Sequence, residues 1–198
     1  VLSLADEPPA EPVLPITPGG NAHTVARDSI RSTLATVFAD KYQTDPHPVL
    51  SLSIGGDHVA RAVKDTMVMT AEPARISEYG IDTDTGHEER FRADGVVVAT
   101  PLGSEGYANA AGGPTVETGA GLSVVPLSPF STYTRTWVLN PPVTLTVERD
   151  EDRVLLLADD TEVQAVPPWE PVELTVADTF ALVRPGNRGG SQHGSEKL

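Results

Sequence analysis

Short apolar runs separated by turn residues occupy most of this chain. From Val49 onward, apolar positions alternate with polar ones or form brief unbroken runs, and Gly, Pro, Asp and Asn stand between the runs. This spacing is typical of β-strands rather than helices. Strands are predicted over residues 49–54, 63–69, 75–82, 88–92, 96–99, 122–126, 134–139, 143–147, 154–157, 162–166, 172–176 and 180–183. So many short strands with so little helix predict a mainly β fold, a β-sandwich.

A helix is predicted near the start of the chain, from Thr24 to Tyr42. Its apolar positions recur every four residues and are Ala26, Ile30, Leu34 and Phe38. Asn21 or Thr24 would cap the first turn, because the side-chain oxygen of either residue can accept a backbone N–H.

The segments around this helix are short or irregular. Val1–Leu4 is predicted as a strand, and Pro12–Ile16 is a second short apolar run. Pro46 and Pro48 mark a boundary with the strand-rich part of the chain. Residues 186–198 have no apolar periodicity, so we expect a disordered tail there.

The most informative stretch is Arg92–Pro114. Val96–Ala99 has no polar break, as expected of a strand buried on both faces. Gly103 and Gly106 follow, and glycine allows a backbone to turn sharply and to approach a bound molecule closely. Tyr107–Ala111 is predicted as a short helix that presents its tyrosine to this turn. The stretch therefore predicts a buried strand followed by a binding turn.

This stretch resembles the signature of the NAD kinase (ATP-NAD kinase) family, which reads approximately DGxxxxTPTGSTAYxxSAGGP. The matching residues are Asp94, Gly95, Thr100, Pro101, Gly103, Ser104, Tyr107, Ala111, Gly112, Gly113 and Pro114. Upstream, Pro12–Ile16 is similar to the first half of the family segment PVLGINxGxxGF. The resemblance implies that residues 46–185 form an NAD kinase-like β-sandwich domain and that residues 1–45 are a truncated remnant of an N-terminal α/β domain.

The resemblance also implies which residues bind a nucleotide. Lys64 and Asp65 align with a family Asn and acid that contact nucleoside groups, although Lys64 replaces the Asn. Asp94 matches an aspartate that reaches a nucleotide in a neighbouring subunit, and Tyr107 matches a tyrosine that packs on the nucleotide. The implied ligand is a dinucleotide, NAD or NADP, and the implied assembly is a homo-oligomer, a dimer or tetramer.

Several residues depart from the family signature. Ser104 is retained, but Glu105 stands in place of a Thr and Gly106 in place of an Ala. A carboxylate at position 105 can accept hydrogen bonds from a ribose diol, whereas it would oppose a phosphate in contact by about 4 kcal/mol at a protein-like dielectric. We expect Lys64 and Glu105 to pair, since unpaired buried charges are costly. Farther along the chain, Phe130 replaces the family's His after Pro.

The family's catalytic GGDG motif is predicted to be absent. Gly55-Gly56-Asp57-His58 is similar to it but lies between two predicted strands, which favours a plain hairpin turn. The other candidate aspartate, Asp6, has no glycines beside it that could form an amide nest for phosphate. No catalytic residue is therefore predicted. Residues 82–86 resemble a calcium loop but lack its later ligands, so a hairpin is expected there too.

Three functions remain open from these residues. The chain could be an NAD kinase-family protein that binds a nucleotide but cannot phosphorylate NAD by itself, because general-base and phosphate-holding groups are missing. It could be an active NAD kinase, using ATP and Mg²⁺, if residues upstream of Val1 supply the missing half. It could also be a scaffold in which Lys64 and Glu105 plug the site.

The charge and composition of the chain limit the classes of partner that it is expected to bind. Acidic residues outnumber basic ones 28 to 14, which gives a net charge of −14. Such a surface repels nucleic acid and anionic lipid, so neither partner is expected. The acidic surplus and the scarcity of lysine are typical of proteins from salt-loving organisms. No apolar run approaches the ~20 residues of a membrane span, and there are no cysteines, so a cytoplasmic location is predicted.

Overall fold

The computed structural model describes residues 3–19, 23–72, 75–131, 135–150 and 152–184. Near the start are a helical turn α1 (Ser3–Asp6), the two-residue strands β1 (Ile16–Thr17) and β2 (Val25–Ala26), and helix α2 (Ile30–Phe38). The strands that follow are β3 (Gln43–Ile54), β4 (Asp57–Ala62), β5 (Asp65–Thr70), β6 (Ser77–Thr83), β7 (Glu88–Ala93) and β8 (Gly95–Ala99). Helix α3 (Tyr107–Ala110) precedes β9 (Leu122–Leu127), β10 (Trp137–Leu139), β11 (Val143–Arg149), β12 (Val154–Ala158), β13 (Thr161–Ala165) and β14 (Val172–Arg184).

Two six-stranded sheets contain all but the two shortest of these strands. The first sheet has the order β10-β9-β8-β5-β12-β13, and the second has the order β4-β3-β14-β11-β6-β7. In the first sheet β8 pairs antiparallel with β5 on one side and with β9 on the other. Every residue of β8 is buried, as its unbroken apolar run predicts. The predicted mainly β fold and β-sandwich are confirmed.

The main core lies between the two sheets and follows the period of two that strands impose. In β11, Val143, Leu145 and Val147 are buried, whereas the threonines between them are half-exposed. A smaller apolar cluster covers the outer face of the first sheet, where Ala108 of α3 packs with Met67 and Val97. Helix α3 therefore covers the outer face of β5, β8 and β9.

The hairpins predicted from glycine are confirmed. Strands β3 and β4 form an antiparallel pair, and Gly55 and Gly56 between them have φ of 59° and 90°. Strands β6 and β7 pair in the same way around Gly86, whose φ is 83°. Positive φ costs glycine little, so these turns follow directly from the sequence.

The beginning of the chain differs from the sequence prediction. Of the strand predicted over Val1–Leu4, the described residues Ser3 and Leu4 belong to the helical turn α1 instead. The long helix is also shorter than predicted: α2 begins at Ile30, after a 3₁₀ turn over 27–29. Val25 explains this, because it pairs with Ile16 and its N–H donates to the Pro15 carbonyl at 2.8 Å, which keeps the backbone extended.

The boundaries of several other elements also differ from the sequence prediction. Ser29 rather than Thr24 is the N-cap of α2, and Asn21 lies outside the described residues. Pro46 and Pro48 lie within β3 rather than ahead of it. The two strands predicted after residue 171 are one continuous strand, β14. The predicted tail, 186–198, and the start of the strand predicted at 134 also lie outside the described residues.

The described residues divide into two compact units. The first comprises the residues up to Ala10 together with 46–180, and it contains the core of the sandwich. The second comprises 11–45 with the chain from 181 onward. Within the second unit, Val13 bridges to Leu182, and the Arg184 guanidinium pairs with the Asp45 carboxylate at 2.6 Å. The origin of this unit as a remnant of an α/β domain stays a prediction.

The packing of β12 generates a stability test. Leu156 is fully buried between the sheets, whereas its neighbour Leu155 points to the opposite face and is half-buried. Leu156→Ala should lower the free energy of unfolding by about 2 to 5 kcal/mol, because the cavity adds to the lost apolar burial. Leu155→Ala, with the same atoms removed, should cost about 1 kcal/mol. Denaturant unfolding measures both, and equal losses would contradict the assigned faces of β12.

Candidate functional site

The turn after β8 is held by its own backbone. The N–H groups of Gly103 and Ser104 donate to the Thr100 carbonyl at 3.0 and 2.9 Å, and the N–H of Gly106 donates to the Gly103 carbonyl at 2.9 Å. Helix α3 begins directly afterwards, and the Gly113 N–H closes it by donating to the Ala108 carbonyl at 2.8 Å. The glycine-rich turn is therefore ordered by its own hydrogen bonds.

This turn lies directly on the segment 63–65. The Thr100 hydroxyl donates to the Val63 carbonyl at 2.7 Å, and the Thr100 N–H donates to the Lys64 carbonyl at 2.8 Å. A Cβ atom on Gly103 would lie 2.1 Å from the Lys64 carbonyl oxygen. Only glycine permits this approach, so the first glycine of the turn brings the signature stretch and Lys64 together.

Ser104 has an internal role in this turn. Its side chain is fully buried, and the hydroxyl donates to the Pro101 carbonyl at 2.9 Å while accepting from the Val116 N–H at 2.9 Å. The hydroxyl therefore ties the turn to the loop that follows α3. Glu105 and Gly106 come next; Glu105 is half-buried and Gly106 is exposed.

Among the described residues of the first unit, Asp65 is the acid whose pKa departs clearly from its ordinary value. It is 5 % exposed, and its Oδ1 has no hydrogen-bond partner among the described residues. The pKa of Asp65 is raised to about 6, chiefly by burial and also by the nearby charges of Asp160 and Asp159, while Lys64 lowers it. Asp65 lies on the outer face of β5, the face that also carries Met67.

Lys64 is half-buried beside this acid. None of the ion pairs found within the described part of the chain joins Lys64 to Glu105, so the structure gives no support to a plug formed by the two. The charge of Lys64 acts on the neighbouring Asp65, whose pKa it lowers.

Asp94 is fixed through its main chain. Its carbonyl accepts hydrogen bonds from the Thr70 N–H at 2.9 Å, the Thr70 hydroxyl at 3.1 Å and the Tyr79 hydroxyl at 3.3 Å. Its N–H donates to the Leu127 carbonyl at 2.9 Å. These four bonds hold the residue between β7 and β8, and its half-buried side chain faces a cleft.

The cleft has a volume of about 480 Å³. Its walls are the far end of β5, the end of β9 and helix α3, and the lining residues are Met69, Thr70, Ala71, Asp94, Tyr107, Ala110, Ala111, Leu127 and Ser128. Most of these side chains are apolar, and Tyr107, which is 52 % exposed, contributes the aromatic ring. An apolar cleft with one carboxylate and one exposed ring is suited to a planar group that carries hydroxyls.

The structure therefore places the sequence-predicted residues in two groups. Asp94 and Tyr107 both line the cleft, whereas Lys64 and Asp65 lie at the opposite end of β5. The distance along the strand from Asp65 to Met69 is roughly 13 Å, at about 3.3 Å per residue. Both groups belong to the first unit. An extended ligand could reach both along this face.

Sequence reasoning missed two parts of this site. The apolar lining from Met69, Ala110 and Leu127 reads in the sequence as ordinary strand and helix packing. The second part is Asp159, whose carboxylate accepts from the backbone N–H groups of residues 63–65. The sequence signal for it was slight, an Asp-Asp pair directly after an apolar strand.

Three further observations complete the description of this part of the chain. No group of three or more His, Cys, Asp or Glu side chains that could hold a metal ion is present in the described part of the chain. The replaced His position, Phe130, is 68 % exposed and lies under the Arg92 guanidinium, with 5.7 Å between the guanidinium carbon and the ring centre. The described helices include none that is long and apolar enough to cross a membrane.

Comparison with known families decides the assignment. Residues 63–180 match the family model of the ATP-NAD kinase C-terminal domain. The chain belongs to the NAD kinase family. The resemblance found in the signature stretch is thereby confirmed over more than half of the chain.

Curated relatives in this family are about twice as long as the matched region. The NAD kinase of Methanospirillum hungatei is 34% identical over 128 residues, which are 61% of this chain and 48% of that protein. The NAD kinase of Methanopyrus kandleri is 30% identical over 155 residues, which are 76% of this chain and 56% of that protein. The chain thus spans about half the length of the curated relatives it matches.

Solved NAD kinase structures share the fold. Yeast NADH kinase complexed with NADH gives a TM-score of 0.71 at 16% identity, covering 85% of this chain and 54% of that one. An NAD kinase from Archaeoglobus fulgidus in complex with ATP gives 0.64 at 24% identity, covering 82% and 63%. At these identities the likeness shows the β-sandwich architecture.

The close approach at Gly103 generates a test of the turn. Gly103→Ala should lower the free energy of unfolding by about 3 kcal/mol or more, because the added methyl would meet backbone atoms that cannot move aside. Gly106→Ala is the matched control: its Cβ would lie 3.2 Å from the Gly103 carbonyl oxygen, and the expected cost is about 1 kcal/mol or less. Chemical denaturation compares the two. Similar costs would refute the tight contact with Lys64.

The raised pKa of Asp65 generates a pH test. Because its folded pKa of about 6 exceeds the unfolded value of 3.8, the folded state binds this proton more tightly. That stabilisation is complete below pH ~4 and is lost as the pH rises through ~6. Asp65→Asn should therefore raise the free energy of unfolding at pH 7 by up to about 3 kcal/mol, with little gain at pH 4.

Asp84→Asn is the control for the change of net charge, since Asp84 is exposed in the β6–β7 turn. It should have little effect at either pH. Urea unfolding of both variants and of the parent, at pH 4 and pH 7, separates burial from net charge. A loss of stability at pH 7 in Asp65→Asn would contradict the desolvated carboxyl.

Proposed function

We propose that this NAD kinase-family chain binds a dinucleotide of the NAD type along the outer face of the first sheet and does not by itself transfer phosphate to it. The proposal that the chain binds a dinucleotide is supported by the cleft that Asp94 and Tyr107 line. The family relationship supports the class of ligand.

The cleft suits one nucleoside of the ligand. Stacking of a base on the ring of Tyr107 is worth roughly 1 to 3 kcal/mol, and the apolar lining from Met69 and Leu127 excludes water around it. The carboxylate of Asp94 can accept hydrogen bonds from ribose hydroxyls. A base and a sugar are thus held by stacking and hydrogen bonding, which the acidic surface does not oppose.

The second nucleoside would lie toward Lys64 and Asp65. Asp65 has a buried oxygen without a partner among the described residues, and such a group gains most from a hydroxyl donor. The ammonium of Lys64 can offset phosphate charge nearby. The carboxylate of Glu105 opposes a phosphate in direct contact, so the site favours the sugars over an added phosphate group.

Named ligands of related structures support the same class. The yeast protein was solved with NADH, and the Archaeoglobus fulgidus protein with ATP. Both are adenine nucleotides, and an aromatic ring beside a carboxylate suits each of them.

The proposal that the chain does not transfer phosphate is based on the surroundings of its one Gly-Gly-Asp sequence, Gly55–Asp57. Gly55 donates its N–H to the Pro171 carbonyl at 3.0 Å, so that amide is not available to an anion. A carboxylate oxygen of Glu170 lies 2.6 Å from the Cβ position of Gly55 and would repel phosphate. Asp57 follows as the first residue of β4. A bonded Gly55 amide and a neighbouring carboxylate make this hairpin poorly suited to hold a donor phosphate, which supports the proposal.

An active kinase is the second candidate. The matched relatives carry the name NAD kinase, and the chain spans about half of their length. Activity would then need groups that the 198 residues do not provide, together with ATP and Mg²⁺. A homo-oligomer, a cytoplasmic location and an adaptation to high salt remain predictions.

Binding and turnover separate these proposals. Calorimetry in high salt should detect heat with NAD, and an assay for NADP formation with ATP or polyphosphate should stay at background for the same protein. Turnover by the purified chain would establish the active kinase, and absence of heat with both NAD and NADP would favour the scaffold.

Variants of the ring test the cleft itself. Tyr107→Ala should weaken NAD binding roughly 5- to 100-fold, while Tyr107→Phe, which keeps the ring, should bind nearly as the parent does. Trp169→Ala is the control, because Trp169 is 67 % exposed and lies outside the cleft. If Tyr107→Ala and Trp169→Ala behave alike in calorimetry, the cleft is not the binding site.

A further inference from the structure

One carboxylate organises the segment that carries Lys64 and Asp65. Asp159 lies directly after β12 and is 3 % exposed. Its Oδ2 accepts from the Val63 N–H at 2.9 Å, and its Oδ1 accepts from the Lys64 N–H at 2.7 Å and the Asp65 N–H at 3.2 Å. Three consecutive amides therefore converge on a single carboxylate.

The main chain of Asp159 completes the contact. Its own N–H donates to the Asp65 carbonyl at 2.9 Å. Its φ is 46° and that of Asp160 is 69°, a left-handed turn that Asp tolerates better than most residues. This turn places the side chain and the N–H of Asp159 on the same segment, which explains a conformation that would otherwise be costly.

The opposite side of the segment is held by the signature turn. Thr100 binds the carbonyls of Val63 and Lys64, and Gly103 packs against the Lys64 backbone. The three amides of residues 63–65 are thus held by the Asp159 carboxylate, whereas Thr100 holds the carbonyls of Val63 and Lys64 and the Asp159 N–H holds the carbonyl of Asp65. We call this arrangement the 63–65 clamp.

The clamp leaves one buried side-chain oxygen of Asp65 without a hydrogen bond. The backbone of Asp65 is fully bonded, whereas its Oδ1 has no partner among the described residues. The charged groups that act on it are Lys64 on its own segment and Asp159 and Asp160 on the facing turn. A buried acceptor held rigidly without a partner is suited to a donor from a ligand.

We infer that Asp159 is a positioning residue for dinucleotide binding, acting through the clamp to hold Lys64 and Asp65 in the orientation that a ribose hydroxyl and a phosphate require. The inference rests on the proposed function, since it assumes that Lys64 and Asp65 contact the ligand. It adds a residue that touches no ligand and lies outside the signature stretch.

The test compares two neighbouring aspartates of equal charge. Asp159→Asn keeps a residue that tolerates positive φ but replaces one of the two accepting oxygens by an NH₂ donor. Asp160→Asn makes the same change in an exposed side chain. NAD affinity by calorimetry should fall about tenfold or more in Asp159→Asn and less than about threefold in Asp160→Asn. Amide hydrogen exchange should show faster exchange at residues 63–65 in Asp159→Asn alone.

The outcomes separate the inference from the proposed function. If the parent binds no NAD, the proposed function falls and the positioning role falls with it. If the parent and Asp159→Asn bind NAD equally while residues 63–65 exchange faster in the variant, only the positioning role is overturned. Should Asp159→Asn fail to fold, Thr100→Ser and Thr100→Val probe the other side of the clamp. Equal NAD affinities of those two variants would then overturn the inference.

Discussion

The contact between Gly103 and the backbone of Lys64 is the constraint on which the rest of the site depends. With 2.1 Å between the Cβ position of Gly103 and the Lys64 carbonyl oxygen, no other side chain fits there. This approach lets Thr100 bond to the same segment, so the turn after β8 and the start of β5 become one structure. The position of α3, and with it Tyr107, follows from that turn.

Electrostatics sets the second constraint. In a chain of net charge −14, an anionic ligand gains nothing from the general surface and must be held by local contacts. In the proposed site, Tyr107 offers a ring for stacking, apolar side chains line the cleft, carboxylates can accept from hydroxyls, and Lys64 is the cation beside Asp65. We propose that this balance favours the sugar and base portions of a nucleotide and disfavours additional phosphate.

The sequence predicts the local parts of this structure well. The unbroken apolar run Val96–Ala99 identifies the central strand, because a strand that is buried on both faces has no solvent-exposed polar positions. The glycines identify the turn after this strand and the two hairpins. The start of α2 was misplaced because the pairing of Val25 with Ile16 overrides a helical period. The continuity of β14 was missed because its middle is exposed and reads as a break.

In the candidate site, too, the sequence predicts residues that belong to a local motif but not residues whose contacts depend on the tertiary fold. The signature stretch identifies Asp94 and Tyr107 by motif, and the structure brings them into one cleft. No motif identifies Asp159, because its hydrogen-bond partners are about 95 residues away in the chain. Hydrogen bonds between such distant segments produce no periodic pattern in the sequence, so they are identified only in the three-dimensional structure.

The central claim is that the chain holds the sugar and base portions of a dinucleotide along the outer face of the first sheet without engaging donor phosphate at the Gly55–Asp57 hairpin. The most direct measurement is an NMR titration of the isotopically labelled chain with NAD and, separately, with ATP and Mg²⁺. The account predicts shifts with NAD at Asp94, at residues 63–71 and at 107–111, and none at the hairpin with either ligand. Saturable shifts confined to the hairpin, or no shift with NAD at any concentration, would contradict it.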